Sequence, residues 1–173
     1  MYQTTLRSPV GELTLTSDGS ALTGLWLAGQ KYYPELSTCE SQPDLPVLQQ
    51  AAAYLSAYWA KAPLPPLPPL APEGSPFRQA VWALLREIPY GQTTTYGALA
   101  RQLRSQGIAA SPQAVGGAVG HNPISILIPC HRVVGSGGSL TGYAGGVERK
   151  RFLLELEGVD ASRLTIPTRG TAL

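Results

Sequence analysis

Ala62-Pro63-Leu64-Pro65-Pro66-Leu67-Pro68-Pro69-Leu70 divides this chain in two. Its prolines have no amide hydrogen to donate and favour the extended polyproline conformation, so neither an α-helix nor a central strand can pass through it. The run reads as a semi-rigid spacer rather than as a ligand for a partner domain. With the boundary set after Pro72, a small region of residues 1–72 precedes a larger one of residues 73–173.

Upstream of the spacer, apolar residues alternate with polar ones at Leu13 and Leu15 and again at Leu22, Leu25 and Leu27. Ser8-Pro9-Val10-Gly11 and Ser17-Asp18-Gly19-Ser20 supply turn signals between these runs. A small antiparallel sheet is expected. Leu48, Ala52, Leu55 and Trp59 then recur at helical spacing and predict one amphipathic helix on that sheet.

Downstream, Ser75-Pro76 combines an N-cap residue with a proline suited to the first helical position, and Phe77, Val81, Leu84, Leu85 and Ile88 mark one apolar face. Pro89 and Gly91 end that helix. A second helix is expected from about Thr95 to Leu103, then a turn at Ser105-Gln106-Gly107, then a third from Ser111-Pro112 to about His121. Two short helices across a glycine-containing turn outline a helix-turn-helix. The third helix contains Gly116, Gly117 and Gly120, each costing roughly 1 kcal/mol relative to alanine. Such small residues suit close approach, either inside the protein or against DNA. No Arg, Lys or Asn pair is available there to read base edges, which argues against a sequence-specific regulator.

The chain has 173 residues, enough for a core in each region. No apolar run nears the ~20 residues of a membrane span, and Met1 to Val10 lacks a secretory signal's charged start and apolar stretch. A cytoplasmic protein without a membrane partner is expected. Residues 1–72 carry three basic against five acidic side chains, and residues 73–173 carry ten against six, net charges of −2 and +4. The basic second region suits a polyanionic partner. Two cysteines, Cys39 and Cys130, do not make a disulfide framework in a reducing compartment.

Both histidines, His121 and His131, lie within ten residues of Cys130, at the end of an apolar β-prone run from Asn122 to Pro129. A buried cysteine is usually a small apolar residue, but adjacent His131 and Arg132 are groups that favour a thiolate. On an extended strand Cys130 and His131 would face opposite ways, so a bridging water or a sharp turn is implied. Glu148, Glu155, Glu157 and Asp160 are the acids available to orient His131, and Glu157 precedes the Gly158 cap of a last helix whose buried side is Phe152, Leu153 and Leu156. A zinc site from Cys39, Cys130, His121 and His131 has the ligand count but no usual ligand pair. A cysteine hydrolase has the Cys and His it needs, yet nothing else points to a peptide or ester.

Pro129-Cys130-His131-Arg132-Val133, preceded by Asn122-Pro123 and followed by Gly142-Tyr143-Ala144-Gly145-Gly146, closely resembles the O6-alkylguanine-DNA alkyltransferases, over residues 75–158. The resemblance implies an α/β (α+β) protein, with a winged helix-turn-helix in a mainly helical DNA-binding and alkyl-transfer region. It implies direct-reversal repair, in which one irreversible transfer moves a methyl or larger alkyl group from O6 of guanine to Cys130; O4-alkylthymine is a second candidate substrate. By the same resemblance His131 is the base acting through water, Glu157 orients it, Asn122 braces the active-site turn, and Tyr96 donates toward the guanine. Tyr143, Ala144, Val133 and Arg132 fall on the substrate side, and Gln113, Gly116 and Gly117 on the DNA-docking helix. A monomer acting on double-stranded DNA through the minor groove, with nucleotide flipping and neither metal nor cofactor, completes the expectation. Gln113 stands where the family usually has an arginine, and Ala144 where some relatives have serine. The family's N-terminal zinc ligands are absent, leaving Cys39 a structural role. A relative that binds lesions without reacting is the main rival, and the presence of Cys130 speaks against it.

Overall fold

The computed structural model describes residues 1–167. Two compact units emerge, one of residues 1–73 with 123–127, the other of residues 74–122 with 128 onward. The division falls between Glu73 and Gly74. The return of 123–127 to the first unit was not expected.

In the first unit β1 (Tyr2–Ser8), β2 (Gly11–Ser17) and β3 (Leu22–Leu27) form an antiparallel meander, and β4 (Glu40–Ser41) adds parallel to β1, giving the order β3-β2-β1-β4. Leu13, Leu15, Leu22, Leu25 and Leu27 are fully buried, as the alternation predicts. Helix α1 (Pro46–Trp59) covers them with Leu48, Ala51, Leu55 and Tyr58. Its buried stripe is thus rotated by one residue from the expected one at two positions, with Ala52 and Trp59 half-buried at its margin.

The open edge of β3 is closed by two segments distant in sequence. Leu22 donates its N–H to the Pro69 carbonyl and accepts from the Ala71 N–H, both at 2.8 Å. Leu25 donates to Pro123 O at 2.8 Å and accepts from Ser125 N–H at 3.1 Å. The end of the proline run is therefore bound to the sheet rather than a free spacer. Proline carbonyls accept although proline nitrogens cannot donate, and a covered edge strand no longer offers a template for aggregation.

In the second unit, Ser75, Thr95 and Ser111 cap α2 (Pro76–Leu85), α3 (Tyr96–Ser105) and α4 (Pro112–Gly120), each side chain accepting the amide three residues on. Val81, Trp82, Leu85, Leu99, Leu103, Val115 and Val119 pack between them, and Trp82 Nε1 donates to Ala118 O at 2.8 Å. The α3–α4 turn uses Gly107 at φ +80°, a left-handed helix terminator. A short parallel pair, β5 (Thr94–Thr95) with β6 (Val133–Val134), sets the start of α3 beside the segment after Cys130. The class is mixed α and β, as expected. No helix among the described residues is long and apolar enough to cross a membrane.

Two local expectations fail. The run from Asn122 to Pro129 forms no strand, only an isolated bridge at Ile124, because Pro123 and Pro129 interrupt any ladder and Ile126 turns the chain at φ +71°. In α5 (Val147–Leu156), Lys150, Leu153 and Leu154 are buried while Phe152 is 39% exposed.

Candidate active site around Cys130

Cys130 begins a 3-10 turn, Cys130–Arg132, and is 4% exposed. Neither it nor Cys39 is in a disulfide. The tight turn replaces the extended backbone on which Cys130 and His131 would diverge. Asn122 Nδ2 donates to Ile128 O at 2.8 Å, tying together the chain on either side of the 123–127 excursion.

His131 is completely buried. Its Nε2 lies 2.5 Å from Glu157 Oε2, while Nδ1 is buried with no hydrogen-bond partner among the described residues. A neutral ring donating Nε2–H to the carboxylate leaves Nδ1 as the basic nitrogen. Burial pulls the His131 pKa below its ordinary value, against the raising influence of Glu157 and with help from the charges of Arg132 and Lys150. Of the four acids that could orient His131, the fold selects Glu157, at the C-terminal cap of α5. Arg132, expected on the substrate side, instead directs Nε and Nη2 at Glu157 and Nη1 at Ile88 O.

A second group gathers around the Thr141 carbonyl, which accepts from Tyr96 OH and from Lys150 Nζ, each at 2.8 Å. The Lys150 ammonium also lies 5.8 Å from the centre of the Tyr96 ring. Burial lowers the Lys150 pKa to about 7, and negative charge at Cys130 works against that shift. A thiolate at Cys130 and an ammonium at Lys150 therefore stabilise one another. Tyr96 and Tyr143 are held protonated, chiefly by burial and further by Cys130. The Tyr143 hydroxyl is buried with no hydrogen-bond partner among the described residues. Gly142 sits at φ +86°, and a Cβ there would come within 2.2 Å of Tyr96 OH, so only glycine fits.

Tyr96, Gln113, Gly116 and Gly117, with Pro112 and the Thr141–Gly142 segment, line a pocket of about 340 Å³. Four expected residues, Tyr96, Gln113, Gly116 and Gly117, thus meet at one surface. Val133 is buried in β6, and Ala144 is half-buried on the loop that carries Tyr143. Lys150 escaped the sequence reading, although its spacing to Leu153 and Leu154 places it on the buried face of α5. Thr141, through its carbonyl, and Gly91, whose N–H donates to Glu157 Oε1, act through backbone groups, which residue type does not reveal. Among the described residues no group of three or more His, Cys, Asp or Glu side chains could hold a metal.

Two family models match this architecture. The DNA binding domain of 6-O-methylguanine DNA methyltransferase matches residues 76–159, and its ribonuclease-like domain matches residues 1–68. The chain belongs to the 6-O-methylguanine DNA methyltransferase family. Within that family, a methylated-DNA–protein-cysteine methyltransferase of Haemophilus influenzae is 44% identical over 160 residues, 92% of this chain and 87% of that protein. One of Mycobacterium tuberculosis is 46% identical over 157 residues, 91% of this chain and 92% of its own. The crystal structure of Mycobacterium tuberculosis OGT in complex with DNA superposes with a TM-score of 0.82 at 42% identity, covering 95% of both chains.

Proposed function

We propose that this protein repairs DNA by direct reversal, moving the alkyl group of O6-alkylguanine onto Sγ of Cys130 once per molecule. The observation that carries the reading is the buried Cys130–His131–Glu157 arrangement in a member of a methyltransferase family. His131 Nδ1 takes the thiol proton through a water, the thiolate attacks the alkyl carbon, the carbon–O6 bond breaks, and the departing guanine takes up a proton. The product is a thioether, which has no leaving group to regenerate the thiol. Tyr96, donated to Thr141 in this state, would turn its hydroxyl to the purine, and Lys150 would balance the thiolate.

The alkylated O6 lies inside duplex DNA, so the nucleotide must be flipped into the pocket beside Tyr96. Docking is through the minor groove by α4. A Cβ added at Gly117 would meet nothing within 4 Å, and one at Gly116 only the Tyr96 ring at ordinary contact, so internal packing does not account for these glycines. Val133, Tyr143 and Ala144 would form the rest of the base site, and O4-alkylthymine is a candidate second substrate. The protein acts as a cytoplasmic monomer.

Intact-mass measurement after incubation with O6-methylguanine duplex tests the reading. One added methylene on the peptide holding Cys130 is expected. Full lesion binding with unchanged mass would establish a recognition-only protein instead.

A further inference from the structure

The four donors gathered on Glu157 bear on the proposed reaction. His131 Nε2 and Arg132 Nη2 reach Oε2 at 2.5 and 3.1 Å, while Arg132 Nε and the Gly91 N–H reach Oε1 at 2.8 and 3.0 Å. A carboxylate offers about four acceptor directions, so these contacts occupy it. Both side chains of the ion pair are buried, with the Arg132 side chain 10% exposed and Glu157 not at all. The remaining Arg132 nitrogen, Nη1, donates to Ile88 O at 2.7 Å, and the Tyr90 ring lies 5.8 Å from the guanidinium on its outer side. Gly91 delivers its amide from φ +76°, and a Cβ there would already stand 3.0 Å from the Glu157 carbonyl.

We propose that Arg132 is a positioning residue for the transfer reaction: its fork, with the Gly91 amide, fixes the plane of the Glu157 carboxylate that aims His131. This rests on the alkyl-transfer reading above. A bidentate guanidinium–carboxylate pair sets the plane of the carboxylate as well as its charge, which a lysine cannot do. The guanidinium and the Gly91 amide stabilise the carboxylate against taking the Nε2 proton, so the proton abstracted from Cys130 stays on the His131 ring until the leaving guanine draws it off. Arg132 has a second effect through charge. Glu157 favours protonation of His131, whereas Arg132 and Lys150 oppose it. The charged groups that act on His131 are Glu157 and Lys150 from α5 and Arg132 from its own turn, in which Cys130 is its chain neighbour, while Tyr90 faces the Arg132–Glu157 pair from the loop after α2. Burial is the chief reason that His131 is neutral, as a base must be, and Arg132 adds to it by countering part of the pull of Glu157.

Geometry and charge separate in two variants. Arg132→Lys keeps the charge and loses the fork; Arg132→Met loses both. Transfer to free O6-alkylguanine base, measured against pH, should show a plateau about tenfold lower in Arg132→Lys, the effect of a disturbed orienting partner, with its acid limb unmoved. In Arg132→Met the plateau should fall further and the acid limb should move to higher pH, because removing a cation makes His131 easier to protonate. A 15N-NMR titration of the His131 ring should report the same shift without any transfer, so it still tests Arg132 if the alkyl-transfer reading itself fails by intact mass. Duplex affinity and its salt dependence should be unchanged in Arg132→Lys, which also serves if the methionine variant does not fold. A wild-type plateau in Arg132→Lys, or an unmoved His131 titration in folded Arg132→Met, overturns the proposal. Lost duplex affinity with a salt slope shallower by about one would place Arg132 on a phosphate instead.

Discussion

At the scale of single residues, Cys130 has a controlled counterpart in Cys39, which belongs to the other unit. Cys130→Ser should bind duplex DNA as the parent does and show no mass gain, whereas Cys39→Ser should react normally; the reverse result moves the nucleophile. The buried titratable groups give a pH signature of folding. The His131 pKa lies below its ordinary value of 6.5 in the folded protein, so the unfolded chain binds the extra proton as pH falls through about 6.5, and stability drops with it. Lys150 acts in the same direction in a higher window. Its pKa is about 7 folded against 10.5 unfolded, so its contribution to stability rises with pH between those values. Denaturant titrations of Lys150→Met between pH 7 and 10 should show a weaker rise than the parent, and an unchanged slope would mean that Lys150 is solvated in the folded protein. Transfer by that variant should also slow, since the thiolate loses its buried counter-charge.

At the scale of the element, α4 is suboptimal as a helix, and the proposed docking role gives the reason. Gly117→Ala adds a methyl where nothing stands within 4 Å and removes a helix-destabilising glycine, so it should raise stability by about 1 kcal/mol. The same methyl should weaken duplex binding, as an anisotropy titration would read. Stabilisation with undiminished binding would show that this face does not approach DNA. Gln113 lies on the same exposed stretch and lines the pocket. A guanidinium can stack in the gap left by a flipped base and pair with the orphaned strand, and a glutamine amide offers less of either. Unstacking costs a few kcal/mol, so Gln113→Arg should accelerate transfer on duplex DNA more than on free alkylated base, where nothing is flipped. Equal effects in pre-steady-state transfer on the two substrates would mean that another group already fills the gap.

At the scale of the whole molecule, the charge difference between residues 1–72 and 73–173 predicts how the protein meets DNA. Affinity for duplex should fall steadily as salt rises, because phosphate contacts release counterions, and should depend little on the sequence of undamaged DNA. A strong preference for one undamaged motif in competition binding would point to base-edge readout and a regulator.

Sequence alone determined the elements whose signals are local. The three serine and threonine caps, the alternating leucines of the meander and the proline interruption at 62–70 each act through neighbours a few residues away, and Cys130 with His131 and Arg132 was legible because contiguous chemistry needs no fold to bring it together. Register-level detail was less legible. The rotated stripe on α1 and the burial of Lys150 in place of Phe152 depend on which surface each helix meets. The tertiary structure alone decided the rest. Glu157 was one of four eligible acids until the end of α5 came to lie against the 130–132 turn. Arg132, adjacent in sequence to the nucleophile, points to that carboxylate because a buried ion must find its counter-ion. Residues 123–127 leave their sequence neighbours to pair with Leu25, because an open strand edge and an apolar segment satisfy one another's backbone and buried surface across about a hundred residues of chain.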